Sequence, residues 1–125
     1  MNEGREPEST GLTKVHAYYR LVDAGDVPGL IGLFAKDAVY RRPGYEPIRG
    51  HRGLEVFYSE NRVIAGGTHT VTRAVADGRQ VAVNGVFNGV LKSGREVSLE
   101  FADFFELDEE QRFARRDTYF FAPLV

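Results

Sequence analysis

The 125-residue chain has no cysteine, and its one methionine is the first residue. Disulfides, thiolate metal sites and a cysteine nucleophile are therefore excluded. No apolar run approaches the ~20 residues that a membrane-spanning helix needs. Charge of neither sign dominates: 16 Lys and Arg stand against 18 Asp and Glu. A net charge of -2 with interspersed signs gives no general attraction to nucleic acid or to a membrane surface. The opening MNEGREPESTG lacks the apolar core of a signal peptide, so a cytoplasmic location is expected. There is no HExxH, no phosphate-cradling glycine loop and no nucleophile elbow.

What remains is a chain of one-domain length, 42% hydrophobic and 12% aromatic. Residues 1–11 are expected to be a disordered tail, and residues 12–125 the folded domain. Val15, Tyr18, Tyr19 and Val22 recur at helical spacing, and Gly25 ends that stripe. Asp26 can cap a second short helix, with Pro28 tolerated in its first turn. A short strand, Ala38 to Tyr40, leads into VYRRPGYEPIRG, whose Pro43, Gly44 and Pro47 predict a shaped loop. A third helix is expected from about Arg52 to Ala65, stopped by Gly66-Gly67. The period then changes to two. Strands are expected over Thr68–Ala76, Gln80–Leu91, Glu96–Leu107 and Arg112–Phe121, with turns at Asp77-Gly78 and Ser93-Gly94. Helices followed by an antiparallel meander predict an α+β fold, a curved sheet wrapped around helices.

Candidate functional residues are polar groups that interrupt apolar stripes. Asp103 stands alone in Val97, Leu99, Phe101, Asp103, Phe105, Leu107. A buried lone carboxylate must find a partner or change protonation state. In the preceding strand Val81, Val83, Gly85 and Phe87 share one face, while Asn84 and Asn88 share the other. The sequence leaves open which face joins Asp103. Arg116 and Thr118 share one face of the last strand, and Arg115 and Asp117 the other. His16, His51 and His69 are not at metal-ligand spacing and are expected to be surface or packing groups. His51 is the exception to watch, because it follows the shaped loop.

The series Tyr18-x-x-Leu21-Val22-Asp23-Ala24-Gly25-Asp26, Phe34-Ala35-x-Asp37-Ala38-Val39, Pro43-Gly44-Tyr45-x-Pro47-Ile48-x-Gly50 and Phe57-Tyr58 closely resembles the ketosteroid isomerases. More broadly it is similar to the SnoaL-like and nuclear-transport-factor-2-like superfamily, over about Thr13 to Phe121. The resemblance implies a conical α+β barrel around an apolar pocket, dimeric through its outer sheet face. It puts Tyr18 at the oxyanion-hole tyrosine and Asp103 at the carboxyl that the isomerases keep protonated. With Asp103 inward, an ungapped register turns Asn84, Asn88, Arg116, Thr118 and Phe120 inward, and Phe87 and Phe104 outward. Arg42 occupies the place of the isomerases' general-base carboxylate, and an arginine cannot serve as that base. Tyr58 matches a network tyrosine; Phe34 replaces another. Arg116-Asp117 before Tyr119-Phe120 also resembles limonene-epoxide-hydrolase-like enzymes, although Thr118 is inserted at their catalytic position.

The expected function is thus a small-molecule enzyme, an isomerase, cyclase or dehydratase acting on an oxygenated polyketide- or terpenoid-like substrate. Tyr18 and Asp103 would donate to a carbonyl, and His51 or Asp117 would supply the missing base. Arg42, Arg116, Asn84, Asn88, Tyr58, Phe57 and Phe120 would contact substrate, with no metal or organic cofactor. The alternatives are an epoxide hydrolase or a non-catalytic ligand-binding protein. A bidentate Asp103–Arg116 pair would favour the binder, because it leaves Asp103 with no proton to give.

Overall fold

The computed structural model describes residues 10–122. Helix α1 (Thr10–Asp23) buries the expected stripe of Val15, Tyr18, Tyr19 and Val22. Gly25 then turns the chain with φ +74°, and Asp26 caps α2 (Val27–Ile31) by accepting the Gly29 amide at 2.9 Å. The expected tail lies outside the described residues except at Thr10 and Gly11, which already form the first turn of α1.

Two strands precede the third helix. Strand β1 runs Phe34–Arg41, longer than the sequence suggests, and β2 (Ile48–Arg49) returns antiparallel to it across the proline-rich loop. Helix α3 spans only Gly50–Val56 and ends in a π-helical turn, Phe57–Asn61. The expected stop at Gly66-Gly67 is displaced: both glycines lie inside β3 (Ile64–Asp77). Gly67 suits its place in the strand because a Cβ there would come within 2.5 Å of the Phe87 ring. Strands β4 (Gln80–Leu91), β5 (Glu96–Leu107) and β6 (Phe113–Phe121) complete the meander. The sheet order is β2-β1-β6-β5-β4-β3, with β1 parallel to β6 and the other pairs antiparallel. Its two edges do not meet, so the cone is open.

The inner face is set by register. Val83 stands opposite Asp103, and Asn84 opposite Ala102. Directly paired residues share a face, so Val81, Val83, Gly85 and Phe87 join Asp103. The expectation for Asn84 and Asn88 is therefore corrected: both lie on the outer face, and Phe87 is buried inside. The Ser93-Gly94 hairpin fixes that pairing, and it differs by one residue from the ungapped resemblance. Phe104 does face outward.

A β-bulge decides β6. Leu107 pairs with Phe113, but Glu106 pairs with Arg115, so Ala114 is an extra residue. The bulge reverses parity and lets both Phe113 and Arg116 point inward, which simple alternation forbids. Beneath them Phe34, Phe105 and Phe113 pack ring to ring, with centroids 5.2 Å and 4.7 Å apart, and close the narrow end of the cone.

Candidate active site

The inward face of the sheet delivers a buried ion pair to the floor of the cone. Arg116 and Asp103 are 4% and 0% exposed. Arg116 Nη2 and Nε donate to the two Asp103 oxygens at 2.8 and 3.2 Å, a bidentate fork. Asp103 also accepts hydrogen bonds from the Tyr19 and Thr118 hydroxyls. Two N–H groups of one guanidinium and two hydroxyls thus surround this carboxyl. The guanidinium lies between the Tyr18 and Tyr40 rings, 4.5 Å from each centroid. Burial alone would lower the Arg116 pKa, but the Asp103 charge and the surrounding phenols hold it well above the ordinary arginine range.

Arg116 also organises the tyrosines. Its Nη1 donates to Tyr18 Oη at 2.5 Å and to Tyr58 Oη at 3.2 Å, and the two phenols hydrogen bond to each other. One phenol proton is used between them, so the pair has one O–H left for a ligand. Burial raises both phenol pKa values, with Arg116 opposing it, and keeps both groups protonated at neutral pH. The Tyr19 phenol is raised too, first by burial and then by the Asp103 charge.

Tyr18, Tyr58 and Arg116 line an inner cavity together with His69, Arg42 and Arg62. Its free volume of about 20 Å³ holds a water molecule and little more. An outer cavity of about 300 Å³ lies alongside, sharing the Tyr58, Arg62, Ile64 and Phe87 side chains as its wall. His69 is oriented from α1: Asp23 accepts its ring Nδ1–H at 2.6 Å and its backbone N–H at 2.9 Å. The ring stacks on Tyr19 with centroids 5.2 Å apart. That arrangement fixes the tautomer and leaves Nε2 with a free lone pair. Burial lowers the His69 pKa below its ordinary 6.5, against the opposing pull of Asp23, so the ring is neutral at pH 7.

A family model for the SnoaL-like domain matches residues 15–116. The chain belongs to the SnoaL-like family. Among solved structures, this SnoaL-like chain is similar to the epoxide hydrolase/cyclase-like enzyme SalBIII of pyran ring formation in the polyether salinomycin. They share 21% identity over 97% of this chain and 95% of that one, with a TM-score of 0.80. An LEH-like epoxide hydrolase of M. tuberculosis shares 22% identity over 92% and 86%, with a TM-score of 0.78. A protein from Catenulispora acidiphila with a ketosteroid isomerase-like fold, in complex with trimethylamine, shares 18% identity over 85% and 83%, with a TM-score of 0.75. At these identities the likeness establishes the α+β cone. No functionally curated protein matches the chain.

Within the SnoaL-like cone, the expected site residues divide. Tyr18, Tyr58, Arg116 and Asp103 come together, with Phe120 and Arg42 lining the same inner cavity. Asp103 is bound by Tyr19 rather than Tyr18, and it is held as an acceptor, not as the expected donor. His51 is not in the cavity lining: its Nε2–H donates to the Phe34 carbonyl at 2.7 Å and ties α3 to β1. Asp117 lies opposite Phe104, away from the cavity, where Arg41 and Arg115 pair with it. Those contacts, Arg41 first, hold its carboxyl below the usual carboxylate range despite partial burial. Thr118 takes the inward place opposite Asp103, and the paired run from Glu106 to Glu100 contains no second bulge. An Asp-Arg-Asp set of the epoxide-hydrolase kind is not assembled through Asp117. Phe57 is fully buried behind Arg42, packed on Tyr40 and Tyr45.

Sequence reasoning missed Tyr19, Tyr40, Arg62 and the Asp23–His69 pair. The signal for His69 was its place on an alternating strand after two glycines, but alternation alone does not say which face is inward. No group of three or more potential metal ligands exists among the described residues, and no described helix is long and apolar enough to cross a membrane.

Proposed function

We propose that this protein is a proton-transfer enzyme of the SnoaL-like class, acting on an oxygenated small molecule as an isomerase, cyclase or dehydratase, with His69 as its general base. The single observation that carries the reading is the Asp23–His69 pair at the cavity wall. It presents a neutral imidazole nitrogen to the space that also receives the free phenol proton of the Tyr18–Tyr58 pair. A ketone whose carbon body occupies the outer cavity can bring its oxygen to the phenol at the shared Tyr58 wall, with its neighbouring C–H toward the base. His69 Nε2 takes the proton, the C–H electron pair becomes the enolate π bond, and charge collects on the phenol-bound oxygen. Arg116 stabilises that charge through the tyrosines without losing its own pair to Asp103. The imidazolium, held by Asp23, returns its proton to another carbon in an isomerisation or to a departing hydroxyl in a dehydration. A tethered electrophile attacked by the enolate gives a cyclisation. We also propose a homodimer through the outer sheet face, where Phe104 packs edge-on against Tyr119 and both are half exposed.

The test is hydrogen–deuterium exchange at the α-carbon of a simple β,γ-unsaturated ketone, followed by NMR. The protein should accelerate exchange over buffer, and His69→Asn should reduce that acceleration by about 10²-fold or more. The rate should fall as pH drops through the His69 pKa, which lies below 6.5, because protonation removes the lone pair. Exchange no faster than buffer would leave the second reading, a non-catalytic binder. That reading has its own support in the bidentate Asp103–Arg116 pair, which removes the acid an isomerase uses.

A further inference from the structure

The inner cavity is lined by three arginines and by no carboxylate among the described residues, and the buried Asp103 behind it is already paired with Arg116. Arg42 and Arg62 make no salt bridge among the described residues. The acid that lines the outer cavity, Asp23, uses both oxygens on His69. Each of the two guanidinium groups also buries an Nε–H with no hydrogen-bond partner among the described residues. Buried donors left unmade are costly and uncommon, so a pair of them on one cavity calls for a reason.

Both groups are nonetheless firmly placed. Arg42 lies within 5.4 Å of the ring centroids of Tyr45, Phe57 and Phe120, and its Nη1 donates to Tyr40 Oη at 3.1 Å. Arg62 follows the π-helical turn, its backbone N–H bound to Phe57 O at 2.8 Å, and it stacks 5.8 Å from the Tyr58 centroid. Aromatic rings hold a cation in position without neutralising it. The cavity therefore carries two positive charges in fixed places, beside the apolar side chains of Ile64, Phe87, Leu99 and Phe101.

We propose that Arg42 and Arg62 form a carboxylate clamp, and that the substrate is a carboxylic acid on a hydrocarbon body. Planar guanidinium groups match a planar carboxylate, and Val22, Val27, Leu30, Ile64 and Phe87 of the outer cavity suit a carbon skeleton better than a free phosphate. Arg62 belongs to the walls of both cavities, so the acid binds where they meet and its body takes the roomier outer space. This inference rests on the proposed function only in placing the substrate there; binding and proton transfer are read separately.

The experiment titrates sodium benzoate, its neutral isostere benzamide and inorganic phosphate into ¹⁵N-labelled protein, observing the arginine Nε–H signals. Benzoate should shift the Arg42 and Arg62 signals saturably, while benzamide and phosphate should not. Arg42→Met and Arg62→Met should each weaken benzoate by about tenfold or more, the value of a charge-assisted hydrogen bond. Binding is read without turnover, so saturable benzoate shifts with no catalysed exchange would sink the proton-transfer reading and leave the clamp standing. Equal response to benzamide, stronger response to phosphate, binding that survives both arginine substitutions, or no saturable shift in the wild type would each overturn the clamp. The wild-type signals alone decide the last of these, so a variant that fails to fold does not shield the proposal.

Discussion

Asp103 concentrates the opposing forces at this site. It is fully buried and charged, and it is tolerable only because four donors converge on it, two of them from Arg116. Removing one partner is therefore far worse than removing both. Asp103→Asn leaves Arg116 buried without its counter-charge and should cost about 3–5 kcal/mol in urea unfolding. Asp103→Leu combined with Arg116→Met should recover most of that loss, because an apolar pair of similar volume needs no solvation. A double variant as unstable as the single one would show that the pair is held by the tyrosine network rather than by its own charges. His69 has the opposite character. It is buried neutral, so stability should rise with pH across the window below 6.5 in which the unfolded chain still binds a proton and the folded chain does not.

Among the elements, the strands hold what a sequence can and cannot say. The helical stripe of α1 and the alternation in β5 were legible because burial on one face leaves a periodic trace, and Asp103 stood out as the break in that trace. The facing of β4 was not legible, because both of its faces carry valines and only the hairpin pairing distinguishes them. Arg116 beside Phe113 was hidden for a different reason: a bulge is a register event and has no residue signature of its own. Arg62 was invisible because a π-helical turn, not a residue pattern, delivers it. The glycines of β3 follow the same logic and can be tested side by side. A Cβ at Gly67 would meet Asn88 O and the Phe87 ring at 2.5 Å, whereas one at Gly66 meets nothing within 4 Å. Gly67→Ala should cost about 1–3 kcal/mol by overpacking and move the Phe87 wall that both cavities share. Gly66→Ala should stay within about 0.5 kcal/mol. Equal costs would show that backbone freedom, not the ring contact, selects glycine here.

At the scale of the whole molecule, the cone uses the two faces of one sheet for different purposes. The inner face gathers charge into a small space, while the outer face carries apolar side chains in the open: Val75 is 68% exposed, Tyr119 53% and Phe104 52%. Phe104 and Asp103 are neighbours on β5, so the strand that presents the outer aromatic also carries the buried carboxylate of the site. A second copy covering Phe104 and Tyr119 would clamp β5 and β6 from behind and stiffen the strands that hold Arg116 against Asp103. Phe104→Lys places a charge in the middle of that face and should convert a dimer to a monomer in light scattering coupled to size exclusion. The unfolding midpoint of the wild type should rise with protein concentration and that of the variant should not, since dissociation and unfolding are linked by mass action. A wild type that is monomeric at all concentrations, or a dimer that Phe104→Lys leaves intact, would remove the outer sheet face from the assembly and leave its exposed aromatics without a partner.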